Sequence, residues 1–330
     1  MEENIDHNQI ISLRPQFLSD FIGNKSIKTN LSIFINGAKI RNDSLDHVLI
    51  FGPPGLGKTT LSQIIANEMN SSIKVTSGPI ISKPGDLAAI LSNIKKNDVI
   101  FIDEIHRLNH IVKEMLYSAM EDFAIDFIVG EGPGARSIRI SLPNFTLIGA
   151  TTRPGLLSNP FRDRFGIQLQ IEFYKEEELS IIISKYSDKI KANINNKAAL
   201  MLARSARGTP RIALRLLRRV RDFASDHKTI DENVVILALN MMRIDSLGLD
   251  NTDYRYIHYI HFYHDNGPVG IETITAGLSE DRGNIEESIE PYLLQIGFLR
   301  RTNRGRIITE NAINWLIESK LFYNFVDKNL

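Results

Sequence analysis

The stretch HVLIFGPPGLGKTTLSQIIANEM, residues 47–69, decides the fold. HVLIFG (47–52) is a short apolar run of strand type. Gly52-Pro53-Pro54-Gly55-Leu56-Gly57-Lys58-Thr59 then fits G-x-x-x-x-G-K-[ST]. Beyond it Leu61, Ile64, Ile65 and Met69 recur at helical spacing. Strand, glycine-rich turn and helix is the context in which this motif cradles phosphate. Backbone N–H groups of the loop and helix N-terminus point at the anion, and glycine permits the close approach. Lys58 supplies positive charge to the β- and γ-phosphates, and the Thr59 hydroxyl is a ligand for Mg2+. ATP with Mg2+ is the expected nucleotide.

Such a site needs an acidic residue at the end of a neighbouring apolar strand. VIFIDEIH (99–106) supplies it about 45 residues on. Asp103 is expected to hold Mg2+, directly or through water, and Glu104 to orient or deprotonate the attacking water. His106 reads equally as a sensor or as a structural surface residue. FTLIGATT (145–152) ends the next core strand, so Thr151 or Thr152 is expected near the γ-phosphate, or else caps the following turn. In NPFRDRFG (159–166), Arg164 is the candidate arginine finger, offered to the ATP of a neighbouring subunit; the alternative is a surface pair with Asp163. Arg211, in GTPRIA at a helix start, is a candidate to reach the phosphates, or a solvated helical arginine.

Strands alternating with helices through the first half imply a mostly parallel sheet covered on both faces, an α/β domain over residues 1–174. Four helical segments follow, a small all-α domain over 175–245. DSLGLDNTD (245–253) reads as a polar linker. The rest, 246–330, runs helix, helix, helix, hairpin, the order of a winged helix.

The chain has 330 residues, with Lys plus Arg and Asp plus Glu balanced at 39 each. Overall charge therefore points to no partner, and any nucleic-acid surface must come from local clusters. The absence of cysteine excludes disulfides, thiolate metal sites and thiol catalysis, and fits a reducing cytoplasm. The N-terminus, MEENIDHNQI, is polar and acidic and does not read as a signal peptide. No apolar run approaches the ~18–20 residues of a membrane span.

Arg300, Arg301, Arg304 and Arg306 cluster on the expected C-terminal hairpin, with acidic partners scarce in the adjoining sequence. They can follow a phosphate backbone without base readout. His258, His261 and His264 recur every three residues on one helix, more consistent with a half-buried aromatic face than with a metal site. Arg211, Arg215, Arg218 and Arg219 form a basic helical face, solvated or set against a neighbouring subunit.

IVGEGPGARSIRI (128–140) contains G-x-G-x-x-A, a loose dinucleotide fingerprint. That fingerprint must open a helix, whereas here both flanks alternate with period two. Gly130 to Ala135 is thus the tip of a hairpin, spanning about 124–142, inserted between the Asp-Glu and GATT strands. Its apolar positions, Ile125, Phe127, Ile138 and Ile140, exceed what an isolated hairpin hides, so they are candidates for a protein partner, with packing on the hairpin's own core as the alternative.

Taken together, GPPGLGKTT, VIFIDEIHRL, EGPGARSIRI, TLIGATTRPGLLSNPFRDRFG, ARGTPRIALRLLRRVRDFA and EPYLLQIGFLRRTNRGR resemble, in this order, the RuvB family. These are AAA+ motors of Holliday-junction branch migration in recombination and DNA repair. The resemblance runs from about Leu13 to Arg306. It implies an AAA+ domain, a small α-helical lid and a winged-helix head, in a hexameric ring around duplex DNA with ATP between subunits. It also implies a RuvA-like junction-binding partner at the hairpin and a RuvC-like resolvase in a larger complex. Residue by residue, Leu13 and Arg14 would flank adenine, and Gly55, Gly57, Lys58, Thr59 and Thr60 would hold phosphate and Mg2+. Glu121, Asp122, Phe123 and Tyr174 would line the nucleotide site, Arg164 would be the finger in trans, and Arg211 the sensor of the small domain. Arg301 and Arg306, with Arg304, would meet DNA. Ser118, Pro154 and Phe161 depart from the family pattern, and none carries a group needed for hydrolysis. Two rivals stand beside a translocase: a DNA-binding nucleotide switch in which hydrolysis only resets the state, and a metabolic P-loop kinase. The kinase has no use for a basic hairpin, nor the switch for EGPGARSIRI.

Overall fold

The computed structural model describes residues 14–129, 136–224 and 229–319. Leu13, the hairpin tip 130–135 and the side chain of Phe127 lie outside the described residues. The chain forms two compact units, one up to Tyr174 and one from Lys175.

The first unit is built on a five-stranded parallel sheet in the order β2-β3-β6-β1-β7. The strands are β1 (Val48–Phe51), β2 (Ile73–Ser77), β3 (Val99–Asp103), β6 (Thr146–Thr151) and β7 (Ile167–Gln170). The three central strands, β3, β6 and β1, are almost wholly buried, with Leu49, Phe101, Leu147 and Ile148 at 0% exposure. Helices on both faces explain why these strands read as unbroken apolar runs, with no alternation. Each fully buried Leu, Ile or Phe contributes on the order of 1.5–3 kcal/mol by leaving water. The helices are α1 (Lys25–Arg41), α2 (Lys58–Glu68), α3 (Pro84–Leu91) and α4 (His110–Glu121). Asn109 caps α4 by accepting the Val112 N–H at 2.9 Å. β2 and β7 are the edges: β7 alternates buried and exposed residues, and β2 is only half-buried.

Directly after α4 the chain forms the antiparallel pair β4 (Ala124–Val129) and β5 (Arg136–Ser141), with Ile125 opposite Ile140 and Phe127 opposite Ile138. Residues two apart share a face, so these four positions lie on one side. Ile125, however, is fully buried in the core cluster with Leu116, Met120 and Phe145, whereas Ile138 and Ile140 are 48% and 38% exposed. This corrects the expectation for Ile125: at the hairpin root the β4 side is pinned to α4, whereas Ile138 and Ile140 of β5 stay open.

In the second unit α5 (Glu176–Lys189), α6 (Asn196–Arg204), α7 (Pro210–Phe223) and α8 (Glu232–Met241) make a small helical bundle. They are followed by α9 (Asn251–His264), α10 (Ile271–Leu278), and a helical run that opens at Arg282–Asn284, widens to a π turn over Ile285–Ile289 and ends as α11 (Glu290–Gln295). The hairpin β8 (Leu299–Thr302) and β9 (Gly305–Ile308) and helix α12 (Glu310–Glu318) complete a winged-helix arrangement around Tyr256, Ile274, Leu293 and Trp315.

The segment 245–253 is not a loose linker. Asp245 accepts from the Leu247 and Leu249 N–H groups and from Trp315 Nε1, at 2.9, 2.7 and 2.8 Å. Leu249 is fully buried. Arg207, between α6 and α7, donates to the buried Asp253 at 2.6 Å and stacks over the Tyr292 ring. These contacts fasten the bundle to the winged helix through buried polar groups that are strongly penalised if left unpaired.

Burial raises the Asp253 carboxyl to about 6, although Arg207 opposes the rise. A carboxyl raised in the folded state binds its proton more tightly there. Its contribution to stability is therefore complete below the ordinary carboxyl range and is lost as pH rises through about 6. The stability of wild type minus that of Asp253→Asn, from urea unfolding, is expected to fall between pH 4 and 7, whereas a flat difference would contradict the burial assignment.

Candidate nucleotide site and nucleic-acid interface

Parallel strands bring their C-terminal ends to one edge. Here β1, β6 and β3, adjacent in that order, deliver the glycine-rich loop, Thr151 and Asp103-Glu104 to that edge. Gly52 leaves β1 at φ 146°, with its N–H on the Thr151 carbonyl at 3.3 Å. A Cβ on Gly52 would collide with the Ile171 carbonyl oxygen. Gly55 and Gly57 also have positive φ, and Gly57 immediately precedes α2. Lys58 is the first residue of α2; its Nζ donates to the Gly52 and Pro53 carbonyls, both at 2.9 Å, and so is held across the mouth of the loop. Thr59 and Thr60 follow in the first turn, half-buried. Tyr174 is buried, and its hydroxyl donates to the Leu56 carbonyl at 3.4 Å, which brings it to the loop. Arg14 is exposed; its segment is tied through Gln16 to Asn67 near the end of α2, at 2.9 Å.

Asp103 closes β3, and its carboxylate accepts the Glu104 N–H at 3.0 Å. Glu104 sits at φ 49°, a left-handed conformation that costs a non-glycine residue on the order of 1–3 kcal/mol. That turn swings its side chain off the strand. The next residue, Ile105, packs over Gly149, where a Cβ would come within 2.8 Å of the Ile105 Cδ1. The turn can therefore lie against β6, with His106 Nδ1 2.9 Å from Thr151 Oγ1 and 3.3 Å from Glu104 Oε2. Thr152 donates to the same Glu104 oxygen at 3.4 Å. A carboxylate and a hydroxyl, Asp103 and Thr59, are the hard oxygen donors that Mg2+ takes, and positive φ at Gly55 and Gly57 is the loop conformation that can turn backbone N–H groups toward a phosphate.

Arg164 makes contacts that its sequence context does not suggest. Its guanidinium reaches Glu121 at 3.1 Å and the Pro160 carbonyl at 2.6 Å, and lies 4.5 Å from the Tyr117 ring centroid; its Nε is buried without a hydrogen-bond partner. Its ion pair is with Glu121 rather than with the adjacent Asp163. Asp122 pairs with Arg139 of β5 at 2.8 Å. Phe123 packs against His47 and Phe145, so its ring leans into the core. Arg211 is exposed at the start of α7.

In the winged helix, Arg301 and Arg306 face each other across β8 and β9. They converge on Glu290, which is fully buried. Arg301 Nε donates to Glu290 Oε2 at 2.7 Å, with Nη2 on the same oxygen, and Arg306 Nε donates to Oε1 at 2.9 Å. Tyr256 donates to Oε1 at 2.8 Å, and burial, with the neighbouring Glu290 charge, pushes its phenol pKa up so that it stays a donor. Glu286 adds a contact to Arg306 at 3.4 Å. The expectation that these arginines lack acidic partners is thus corrected: a carboxylate 11 and 16 residues back in the chain binds both. Arg301 remains 45% exposed, Arg306 only 14%; Arg300 and Arg304 are exposed. The sequence does not single out Glu290, the last of three acids in EESIE before the apolar PYLLQ.

The three histidines of α9 do not converge. His258 stacks between Tyr254 and Phe262, His261 bonds Asn266 at 2.7 Å, and His264 packs on Tyr259. Among the described residues no cluster suits a metal, and no helix is long and apolar enough to cross a membrane.

Residues 13–171 match the family model of the Holliday junction DNA helicase RuvB P-loop domain, 174–245 that of the RuvB AAA lid domain, and 246–317 that of the RuvB C-terminal winged helix domain. The chain is 56% identical over 321 residues to the Holliday junction branch migration complex subunit RuvB of Ehrlichia chaffeensis, covering 96% of this chain and 97% of that one. It is 55% identical over 316 residues to the same-named subunit of Rickettsia africae, covering 95% and 92%. The solved structure of the Thermotoga maritima RuvB Holliday junction branch migration motor superposes with a TM-score of 0.86 at 47% identity, over 92% of this chain and 98% of that chain. The AAA domain of FIGL-1, at 19% identity and a TM-score of 0.54, shares the fold alone. With a P-loop AAA+ domain, a lid and a winged helix in this order, the chain belongs to the RuvB family.

Proposed function

We propose that this chain is the ATP-driven motor of Holliday-junction branch migration, a cytoplasmic DNA translocase that works with a RuvA-like junction-binding protein. The observation that carries the reading is the likeness to branch migration subunits along 96% of the chain, winged helix included. The initiator-like switch has no comparable support.

Hydrolysis is assigned to the edge formed by β1, β6 and β3. Lys58 leaves the loop carbonyls to neutralise the β- and γ-phosphates, while Gly55, Gly57, Thr59 and Thr60 hold them through backbone and hydroxyl groups. Thr59 and Asp103 would hold Mg2+, which would supply positive charge for the phosphate oxygens. Glu104 orients the attacking water and takes its proton, and Thr151 contacts the terminal phosphate. Leu13, Arg14, Glu121, Asp122, Phe123 and Tyr174 border the nucleotide, and Arg211 approaches it from the lid. In a hexameric ring Arg164 exchanges Glu121 for the phosphate of the next subunit's nucleotide. A finger of this kind contributes ~10³–10⁵ in rate.

The head grips DNA through backbone phosphates. Arg301 and Arg304 carry the contact, and Arg306, largely turned inward, holds the hairpin and offers its outer edge. A motor that must run over any sequence gains from phosphate contacts without base readout. The exposed Ile138 and Ile140, with Phe127 assigned beside them from the sequence, are the docking face for the RuvA-like partner, and a RuvC-like resolvase joins the larger complex.

Arg164→Ala alone is expected to abolish ATP turnover, as is Lys58→Ala, yet mixing the two variants should restore part of it, because the two lesions then fall at different interfaces. Absence of recovery at every mixing ratio would remove Arg164 as a finger in trans. Substituting Arg301 and Arg304 with Ala should weaken duplex binding equally across sequences and lower the slope of log affinity against log salt by about 1 per lost phosphate contact; an unchanged slope would take them off the DNA surface. Ile138→Glu should abolish pull-down by the RuvA-like protein and leave DNA-independent ATPase intact, and retained pull-down would exclude this face.

A further inference from the structure

His106 has no role in the scheme above, yet it touches two of its parts. Its side chain is 6% exposed, and one nitrogen, Nδ1, faces both Thr151 Oγ1 at 2.9 Å and Glu104 Oε2 at 3.3 Å. Thr151 is fully buried, and its hydroxyl also accepts the Arg153 N–H at 3.0 Å. Its backbone carbonyl holds the Gly52 N–H at 3.3 Å. A continuous path therefore runs from the first residue of the phosphate loop through Thr151 and His106 to Glu104.

The chemistry of a single ring nitrogen makes this path a competition. A protonated Nδ1 donates, and Thr151 and Glu104 share that one hydrogen. A bare Nδ1 accepts from the Thr151 hydroxyl and faces the Glu104 oxygen lone pair to lone pair. Only a protonated Nδ1 can hold the Glu104 carboxylate, and in that tautomer what Thr151 does with its hydroxyl changes the hold on Glu104. Thr152 donates to the same Glu104 oxygen at 3.4 Å, a longer contact than that of His106, and the left-handed backbone at Glu104 projects the carboxylate from a turn, so its direction depends on such side-chain contacts.

We propose that His106 is a positioning residue that ties the orientation of Glu104 to the engagement of Thr151. When Thr151 turns its hydroxyl to the terminal phosphate, Nδ1 is left to Glu104 alone and holds the carboxylate for the attacking water. Before that, the shared hydrogen bond leaves Glu104 poorly aimed. His106 touches neither nucleotide nor water. This inference rests on the assignment of Glu104 and Thr151 to ATP hydrolysis.

The test uses the full-length protein with ATP, Mg2+ and duplex DNA. His106→Ala should lower kcat by about ten- to a hundredfold, the usual range for loss of a group that orients a functional side chain, with KM for ATP and affinity for a fluorescent ATP analogue unchanged. His106→Asn, whose amide can donate from nearly the same place, should recover most of kcat. In a cycle with Thr151→Val, the double variant should be no slower than the slower single one, since both changes cut the same path. Wild-type kcat in His106→Ala, or additive losses in the cycle, would overturn the proposal. Equal loss in His106→Asn and His106→Ala would overturn it too, as would a drop in analogue affinity matching the drop in kcat. Glu104→Gln separates this inference from its foundation: if Glu104→Gln turns over ATP normally, the site assignment fails; if it is inactive and His106→Ala is normal, only the role of His106 fails.

Discussion

Parallel pairing of β6 between β1 and β3 is the constraint on which the rest of the first unit depends. It sets Phe51 beside Thr151 and Phe101 beside Ile148, so three strands of similar length end at one edge. The pairing is possible because both faces of these strands are apolar and covered by helices. At the edge the chain must leave the sheet without colliding with its neighbours, and Gly52 meets that demand on one side. On the other, Gly149 admits Ile105. Removing a Cβ at each position lets polar groups from separate strands come within hydrogen-bonding distance, where a hydrolytic site can form.

The second unit follows a different logic. Its two parts are joined by buried polar groups: Arg207 with Asp253, and Asp245 with Trp315. A junction of this kind tolerates little rotation, because any opening leaves a charge or an N–H without a partner in a dry place. The winged-helix hairpin is held in the same manner by Glu290. A positively charged hairpin would repel itself, and one buried carboxylate under the facing pair Arg301 and Arg306 relieves that repulsion while fixing the hairpin against α11. The cost is that part of the positive charge no longer faces outward.

Much of this was legible in the chain. The apolar runs 47–52, 97–103 and 145–152 became β1, β3 and β6, because buried parallel strands leave an unmistakable apolar signature. The edge strands β2 and β7 carry no such signature, since IKVTS is half-polar and QLQ alternates over too few residues. The β4–β5 hairpin shows in its period-two flanks, but periodicity tells which residues share a face and not which of them the core covers, hence the buried Ile125. Glu121 lies 43 residues before Arg164, and Glu290 lies 11 and 16 residues before Arg301 and Arg306, beyond the reach of any helix or strand period, so no local pattern predicts these pairs. The same holds for Asp253, placed in a polar stretch that looks like a linker until Arg207 is brought to it. The left-handed backbone at Glu104 has no sequence signature either, and it directs the central carboxylate of the site.

The central claim is that chemistry at the sheet edge drives movement of a DNA junction. Its most direct test is ATP-dependent movement of a synthetic four-way junction by the full-length protein together with its RuvA-like partner. The account predicts strand exchange by wild type with ATP and none by Glu104→Gln, which should still bind the junction complex. ATP hydrolysis by wild type without any junction movement in the presence of the partner would contradict it.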